Sequence, residues 1–425
     1  GASEPTPGDE RPPAVREVPS PAAAGATAPE LSLVDGDPAL TWLERTGAGT
    51  PQGSGEWRLR FARLGPEGWS EPVTVAPGPA DPAGATRFFA NWADRPGVVQ
   101  GGDGPHGPLY AWWLAQLGEG AYAYGVHLAR SADGGATWEP LGLLHDDDSP
   151  TEHGFVTLLP EGAGVRAVWL DGRATARGEP MTVRSALVTE RVEHDGAEVV
   201  DPSVCDCCNT AAVRTSAGPL VLYRDRTAGE VRDVWAARRG GEGWSEPFPV
   251  HRDGWEIAAC PVNGPAVARH ADGSGETVWA AWFTGAPAEE GGRGSHPRVL
   301  AALSRDGGRT FGAPLTVDDD GPLGRLDLAV DGERGEAIVS WLDADGSGGA
   351  AIRLRRITGD GRLGPVLDLA RSGSSRASGV PRLLAYPAEE GGERLLVAGV
   401  VPGENPSAGG AVRLASVPIE AVPSP

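Results

Sequence analysis

Seven short runs centred on an aromatic or aliphatic residue return along the chain at near-regular intervals, and this periodicity constrains the fold more than any other feature. They are ALTWLER (39–45), LYAWWLA (109–115), VRAVWLDG (165–172), LVLYRDR (220–226), TVWAAWFTG (277–285), AIVSWLDAD (337–345) and RLLVAGVV (394–401). After a first interval of about 70 residues they recur every 55 to 60 or so, roughly the length of a four-stranded antiparallel unit with its loops. Another strand-like run precedes each, for example GFVTLLP (154–160), TAAVRTS (210–216) and RLDLAV (325–330), and a third such as GVHLARS or RVLAALS follows. Six of the seven continue into an outer run such as PVTVAP or PLTVDD. Repeating A-B-C-D units predict an all-β β-propeller. The count favours seven blades, or six if the first or last set is not a full blade. The last set lacks its outer strand, and PAVREV (13–18) is the candidate to supply it and close the ring.

Composition agrees with many short strands: 63 Gly and 39 Pro punctuate Val/Leu/Ala/Trp runs over 425 residues. No stretch offers the roughly 18 consecutive apolar residues of a membrane span, so a soluble chain is expected. The formal charge is −21, and all 37 basic residues are Arg. That balance argues against nucleic acid and anionic membrane as partners, because neutralising phosphate needs a basic surface. Residues 1–29 are rich in Pro, Ala and Glu with almost no bulky apolar residue, the composition of a disordered tether, leaving 30–425 as a single propeller domain. The chain starts at Gly without Met, which suggests an export signal or a lipid-anchored segment upstream; a periplasmic, cell-surface or secreted location is expected. A monomer is the expected state.

The four cysteines are not scattered. Cys205, Cys207 and Cys208 fall within four positions of DPSVCDCCNT (201–210), and Cys260 lies in EIAACPVNGPAV, 52 residues beyond Cys208. In a propeller, the connection from strand D of one blade to strand A of the next shares a face with the B-to-C loops. Those connections here are TRFFANWAD (86–94), HDDDSPTEHGF (145–155), DPSVCDCCNT and DGWEIAACPVNGP (253–265). Asp94, Glu152, His153, the three clustered cysteines and Cys260 are therefore expected at one mouth. The neighbouring B-to-C loops add Asp171 and Arg173, then Arg224, Asp225 and Arg226. His145 and His251, at the ends of D strands, approach the same rim.

Three assignments of the sulfurs compete. Thiolates at Cys205, Cys207, Cys208 and Cys260, with His153 as nitrogen ligand, form a soft donor set suited to copper, and to zinc less well because C-x-C-C is not the C-x₂-C knuckle. Four cysteines in an oxidising compartment also allow two disulfides, although a chain of this size has core enough without staples. The third assignment is a reactive thiol with His153 as base and Arg224 or Arg226 lowering its pKa.

Two hairpins, SADGGATWEP (131–140) and SRDGGRTFGAP (304–314), read Ser-x-Asp-Gly-Gly-x-Thr-aromatic between strands C and D. This is the Asp-box, and through it the chain resembles the sialidase-like, Asp-box (BNR repeat) propeller families. The motif is structural: Asp133 and Asp306 accept backbone N–H groups across the turn, and Trp138 or Phe311 buries beneath. EGWSEP at 67–72 and 242–247 reads as the same hairpin without its Asp. With CDCC and CPVNGP inside such a propeller, the chain resembles a bacterial exported subgroup.

The resemblance implies an arginine triad for a substrate carboxylate, a Tyr/Glu nucleophile pair and an Asp acid/base. This sequence departs from it: the early Arg-Ile-Pro motif is absent, with Arg87 and Arg95 nearest, and Tyr223 and Tyr386 have no Glu at a recognisable spacing. Arg226, Arg325 and Arg376 are the candidates to gather around the channel and bind an anion. At the level of architecture, copper on a propeller mouth also resembles galactose-oxidase-like enzymes. The expected function is copper binding or copper-dependent oxidation. Asp94, Glu152, Arg224, Asp225 and Arg226 are candidate catalytic groups, and Arg173 joins the rim around a small anionic or carbohydrate substrate. The alternatives are an exo-sialidase type of glycoside hydrolase and a disulfide-bonded binding module without catalysis.

Overall fold

The structure, a computed structural model, describes residues 14–45, 57–76, 88–104, 106–288, 292, 294–403 and 410–425. Among these, strands form seven antiparallel sheets of four or five strands, and helical turns are limited to short 3₁₀ segments such as Thr175–Arg177. The chain is a seven-bladed β-propeller. No helix of the described residues is long and apolar enough to cross a membrane.

The B strands show why the sequence folds this way. Leu109–Gln116 (LYAWWLAQ) is buried along nearly its whole length, because a propeller blade is covered on both faces by its neighbours. Strand side chains alternate, so Leu109, Ala111 and Trp113 pack with Leu43, Leu59 and Phe61 of blade 1. Tyr110, Trp112 and Leu114 turn the other way and pack with Val165, Ala167 and Trp169 of blade 3. One apolar cluster fills each gap around the ring, and each large buried side chain contributes roughly 1.5–3 kcal/mol.

Ring closure joins the two ends of the chain. Arg16–Val18 pairs antiparallel with Gly410–Pro418, in the register Glu17 to Ala415, and becomes the outer strand of blade 7. Within the stretch read from composition as a tether, this strand and the start of Thr27–Val34 are ordered parts of the ring. Residues 1–13 lie outside the described residues.

The Ser131 and Ser304 turns hold through their aspartates. Asp133 accepts the Thr137 N–H at 2.9 Å and its hydroxyl at 2.6 Å, and Asp306 does the same for Thr310 at 2.9 and 2.7 Å. These C-to-D turns lie on the face opposite the D-to-A connections.

A repeated irregularity shapes the channel. Strands Thr27–Val34, His153–Glu161 and Gly324–Val330 each carry a bulge whose first residue is left-handed: Ala28 (φ 51°), Phe155 (φ 52°) and Arg325 (φ 51°). Such φ values strain a residue with a Cβ. Two of the three are held by an acceptor from an earlier connection: Asp94 Oδ2 takes the Phe155 N–H at 2.8 Å, and Asn263 Oδ1 takes that of Arg325 at 2.6 Å. Inside, a cavity of about 220 Å³ is lined by Glu30, Asp94, Arg95, Asp327 and Arg382 among others.

Candidate metal centre

The cysteine loop is pinned at both ends. Val204, the last residue of strand Glu198–Val204, is followed by Cys205, whose N–H donates to the Arg224 carbonyl at 2.9 Å. Downstream, Ala211 begins the inner strand of blade 4. The loop bearing Cys260 is fastened against it: Asn209 Nδ2 donates to the Pro265 carbonyl at 3.5 Å, and a Cβ at Gly264 would lie 2.2 Å from the Asn209 carbonyl oxygen. Only glycine permits that approach.

This brings the sulfurs together. Cys205 Sγ is 3.7 Å from Cys207 Sγ and 3.5 Å from Cys208 Sγ, well beyond the ~2.05 Å of a disulfide. The three sulfurs lie within 4.8 Å of one another; Asp206, Cys207 and Cys260 form a second such group sharing Cys207. Cys205 and Cys208 are buried, Cys207 is half-buried and Cys260 is exposed. Hydrogen bonds from Cys207 and Cys208, aided by the charge of Arg224, hold the Cys205 thiol well below its ordinary pKa. Its two neighbours are pushed upward, Cys207 by its hydrogen bonds to Cys205 and Cys208, and Cys208 by burial. The hydrogen bond with Cys207 lowers Cys260 to about 7.

Arg232 completes the electrostatics. Its Nη1 lies 3.2 Å from Cys205 Sγ and 3.4 Å from Asp206 Oδ1, while Glu230 holds its other nitrogens at 2.9 and 3.2 Å. Sequence reading singled out Arg224, Asp225 and Arg226 and passed over Arg232, Glu230 and Asp206. The available signal was the hairpin YRDRTAGEVRDVW: Arg232 lies across the same B-to-C loop from Arg224, so both flank the cysteine loop.

The expected rim residues divide. Arg224 is not a rim residue: it is 1% exposed, its guanidinium donates to the carbonyls of Asn263, Arg232 and Phe283, and it lies over Trp255. Its side chain is a strut between blades 4 and 5 and acts on Cys205 through its charge, while its carbonyl accepts the Cys205 N–H. Arg226 pairs with Glu230 at 2.7 Å and Asp206 at 3.5 Å, so it belongs to the sulfur site. Asp225 is raised to about 6 by burial and by Asp201, and its other charged neighbours are Asp233 and Arg252.

His153 does not join the sulfurs; its nitrogens complete neither ligand group. Fully buried, it stacks on His145 with ring centroids 3.9 Å apart. Its Nδ1 faces the Thr151 carbonyl at 3.1 Å, and Nε2 lies 3.0 Å from Asp147 and 3.7 Å from Asp171. Carboxylates of its own connection and blade claim the ring first. Burial, with His153 beside it, lowers His145 to about 3. Arg173 is tied to Asp171 at 2.7 Å and Asp146 at 2.8 Å, and His251 to Asp253 at 2.8 Å.

A third group of polar residues sits at the same mouth. The Tyr124 hydroxyl donates to Glu152 Oε1, and a Cβ on Gly154 would meet both Asp94 Oδ2 at 2.0 Å and Tyr124 Cε2 at 3.1 Å. Burial raises Asp94 to about 7 and, with added repulsion from Asp94, Asp206 and Cys260, Glu152 to about 8. Sequence spacing did not reveal this Tyr–Glu pair, because its members lie on different blades, 28 positions apart. The expected arginine cluster forms in part: Arg325 and Arg376 share the Trp92 ring, 4.9 and 6.0 Å from its centroid, while Arg226 is with Asp206; Arg95, outside that trio, is bound to Glu30 at 3.0 Å. Arg87 lies outside the described residues.

No protein-family model and no curated protein matches the chain. Among solved structures, an ancestral GH74 enzyme superposes with a TM-score of 0.54 at 12% identity, covering 95% of this chain and 49% of that one, so this chain spans about half its length. An alpha-L-arabinanase of Penicillium chrysogenum gives 0.49 at 13% identity, covering 96% and 97%. The leech intramolecular trans-sialidase gives 0.45 at 11% identity, covering 94% and 68%. At these identities, the similarity to the GH74 enzyme shows the fold alone.

Proposed function

We propose that the chain binds a soft metal ion, copper in its reduced form, at the propeller mouth through Cys205, Cys207 and Cys208, and that its role is copper binding. One observation carries this reading: three unbridged sulfurs within 4.8 Å of one another, two of them buried, with Arg232 Nη1 3.2 Å from Cys205 Sγ. Thiolates select Cu(I) over harder ions. Three thiolates around Cu(I) carry a net double negative charge, and the Arg224 and Arg232 guanidinium groups offset it where water cannot. Zinc fits less well, since it takes four ligands and the fourth sulfur stands at the surface. An exported setting suits such a site. Elemental analysis of protein purified without chelator, paired with a free-thiol count, tests the reading. About one copper per chain is expected, lost in a Cys207→Ser variant. Metal-free protein with its thiols paired as disulfides would overturn it.

The Tyr124–Glu152 pair beside Asp94 supports a second reading, glycoside hydrolysis of the sialidase type. Tyr124 is 0% exposed and Asp94 only 2%, and a nucleophilic oxygen has to reach a sugar carbon at about 3 Å. Burial therefore favours the copper reading. Turnover of a fluorogenic sialoside, abolished by Tyr124→Phe, would reverse that preference.

A further inference from the structure

We propose that Cys260 is the outer stage of a two-stage metal port: an ion arriving on a thiolate-bearing donor is first taken by Cys260 and Cys207, then passed through Cys207 to Cys205 and Cys208. This rests on the reading of the mouth as a soft-metal site and adds the route and the class of partner, a carrier of Cu(I) on exposed thiolates.

The geometry that points to this is the overlap of two ligand groups. Cys205, Cys207 and Cys208 form one, Asp206, Cys207 and Cys260 the other, and Cys207 is the only residue in both. Exposure falls in steps along the path, from exposed Cys260 through half-buried Cys207 to buried Cys205 and Cys208. A protein partner therefore meets the exposed Cys260 sulfur first. The inner set holds the ion better, because it offers a third sulfur and two guanidinium groups that compensate the charge. Asp206 is a hard oxygen donor 4.0 Å from Cys260 Sγ, and it is engaged by Arg226 at 3.5 Å and Arg232 at 3.4 Å. It therefore anchors the arginines beside the port, leaving the two sulfurs as the soft ligands of the outer stage.

The transfer is ligand exchange without electron transfer. A copper–sulfur bond to Cys260 forms as one to the donor breaks, the Cys260 proton passing to the released donor thiolate; Cys207 then displaces the second donor sulfur in the same way. Inside, the bond to Cys260 is exchanged for bonds to Cys205 and Cys208; a proton these sulfurs release returns to Cys260 and any other passes to water. Copper stays Cu(I) throughout.

The test is anaerobic loading of the full chain from Cu(I)–glutathione, followed by stopped-flow and by equilibrium competition with a Cu(I) chelator. For Cys260→Ser we expect unchanged stoichiometry, affinity within about threefold and loading slower by about tenfold or more, since exchange rates follow the access of the attacking sulfur. Cys207→Ser is expected to lose both. A Cys260→Ser variant that loads at the wild-type rate, or that no longer retains copper, would overturn the port while leaving the copper site standing. Wild-type protein that takes up no Cu(I) would overturn the site and the port together.

Discussion

Arg232 Nη1 stands 3.2 Å from Cys205 Sγ, on the far side of the B-to-C loop from Arg224, whose carbonyl accepts the Cys205 N–H. One residue of the cluster is thus gripped by both ends of the same hairpin. Hydrogen bonds from Cys207 and Cys208 do most to lower the Cys205 pKa, against the desolvation that alone would favour the neutral thiol, and the Arg224 charge adds to them.

Removing the guanidinium exposes its role. Arg232→Met keeps the stem and removes the charge, so the pH midpoint for alkylation of Cys205, followed by peptide mass spectrometry, moves upward. Loss of such a supporting partner lowers metal affinity by roughly 10- to 100-fold. An unchanged alkylation profile would show that the neighbouring thiols suffice.

Arg224 should behave as a strut. Arg224→Ala orphans the carbonyls of Asn263, Arg232 and Phe283 and opens a void beside Trp255. A loss of about 3 kcal/mol or more in urea unfolding is expected. A change below about 1 kcal/mol would contradict its place as the tie between blades 4 and 5.

Gly264 controls the approach of the two loops. In Gly264→Ala the new methyl meets the Asn209 carbonyl oxygen at 2.2 Å, so the loop bearing Cys260 has to retreat from the one bearing Cys207. We expect lower stability by about 1–3 kcal/mol and slower copper loading, read by thermal melting and stopped-flow on the same preparation.

Asp94 gives a pH dependence with a defined sign. Burial lifts its carboxyl to about 7, above the ~3.9 of an unfolded chain. The folded state therefore binds the extra proton, and this group's contribution to stability declines as pH rises from about 4 to about 7. Asp94→Asn still accepts the Phe155 N–H and cannot ionise. It should be more stable than wild type at pH 8, by on the order of 2–4 kcal/mol, and nearly equal at pH 4. Equal melting at both values would contradict the assignment.

The fold was legible in the sequence because each blade repeats the same problem: a central strand covered on both faces, as Leu109–Gln116 shows, needs a continuous apolar run at every turn of the ring. The meeting of Cys260 with Cys207 was legible for the same reason, since equivalent connections of adjacent blades share a rim. The fate of His153 was not. Position places a residue at the mouth but does not say which neighbour claims its nitrogens; Asp147 and Asp171 stand 3.0 and 3.7 Å from Nε2, and His153 completes neither sulfur group. Arg224 shows the same limit: an arginine at a strand end reads as a rim charge until the carbonyls around it are seen. Tyr124 and Glu152 escaped because no linear spacing encodes a contact between blades.

X-ray absorption at the copper edge of the loaded protein addresses the binding of the metal most directly. We expect Cu(I) in a shell of three sulfurs without nitrogen or oxygen, unchanged in a His153→Gln variant. A shell containing imidazole nitrogen, or a protein that retains no copper after desalting, would contradict it.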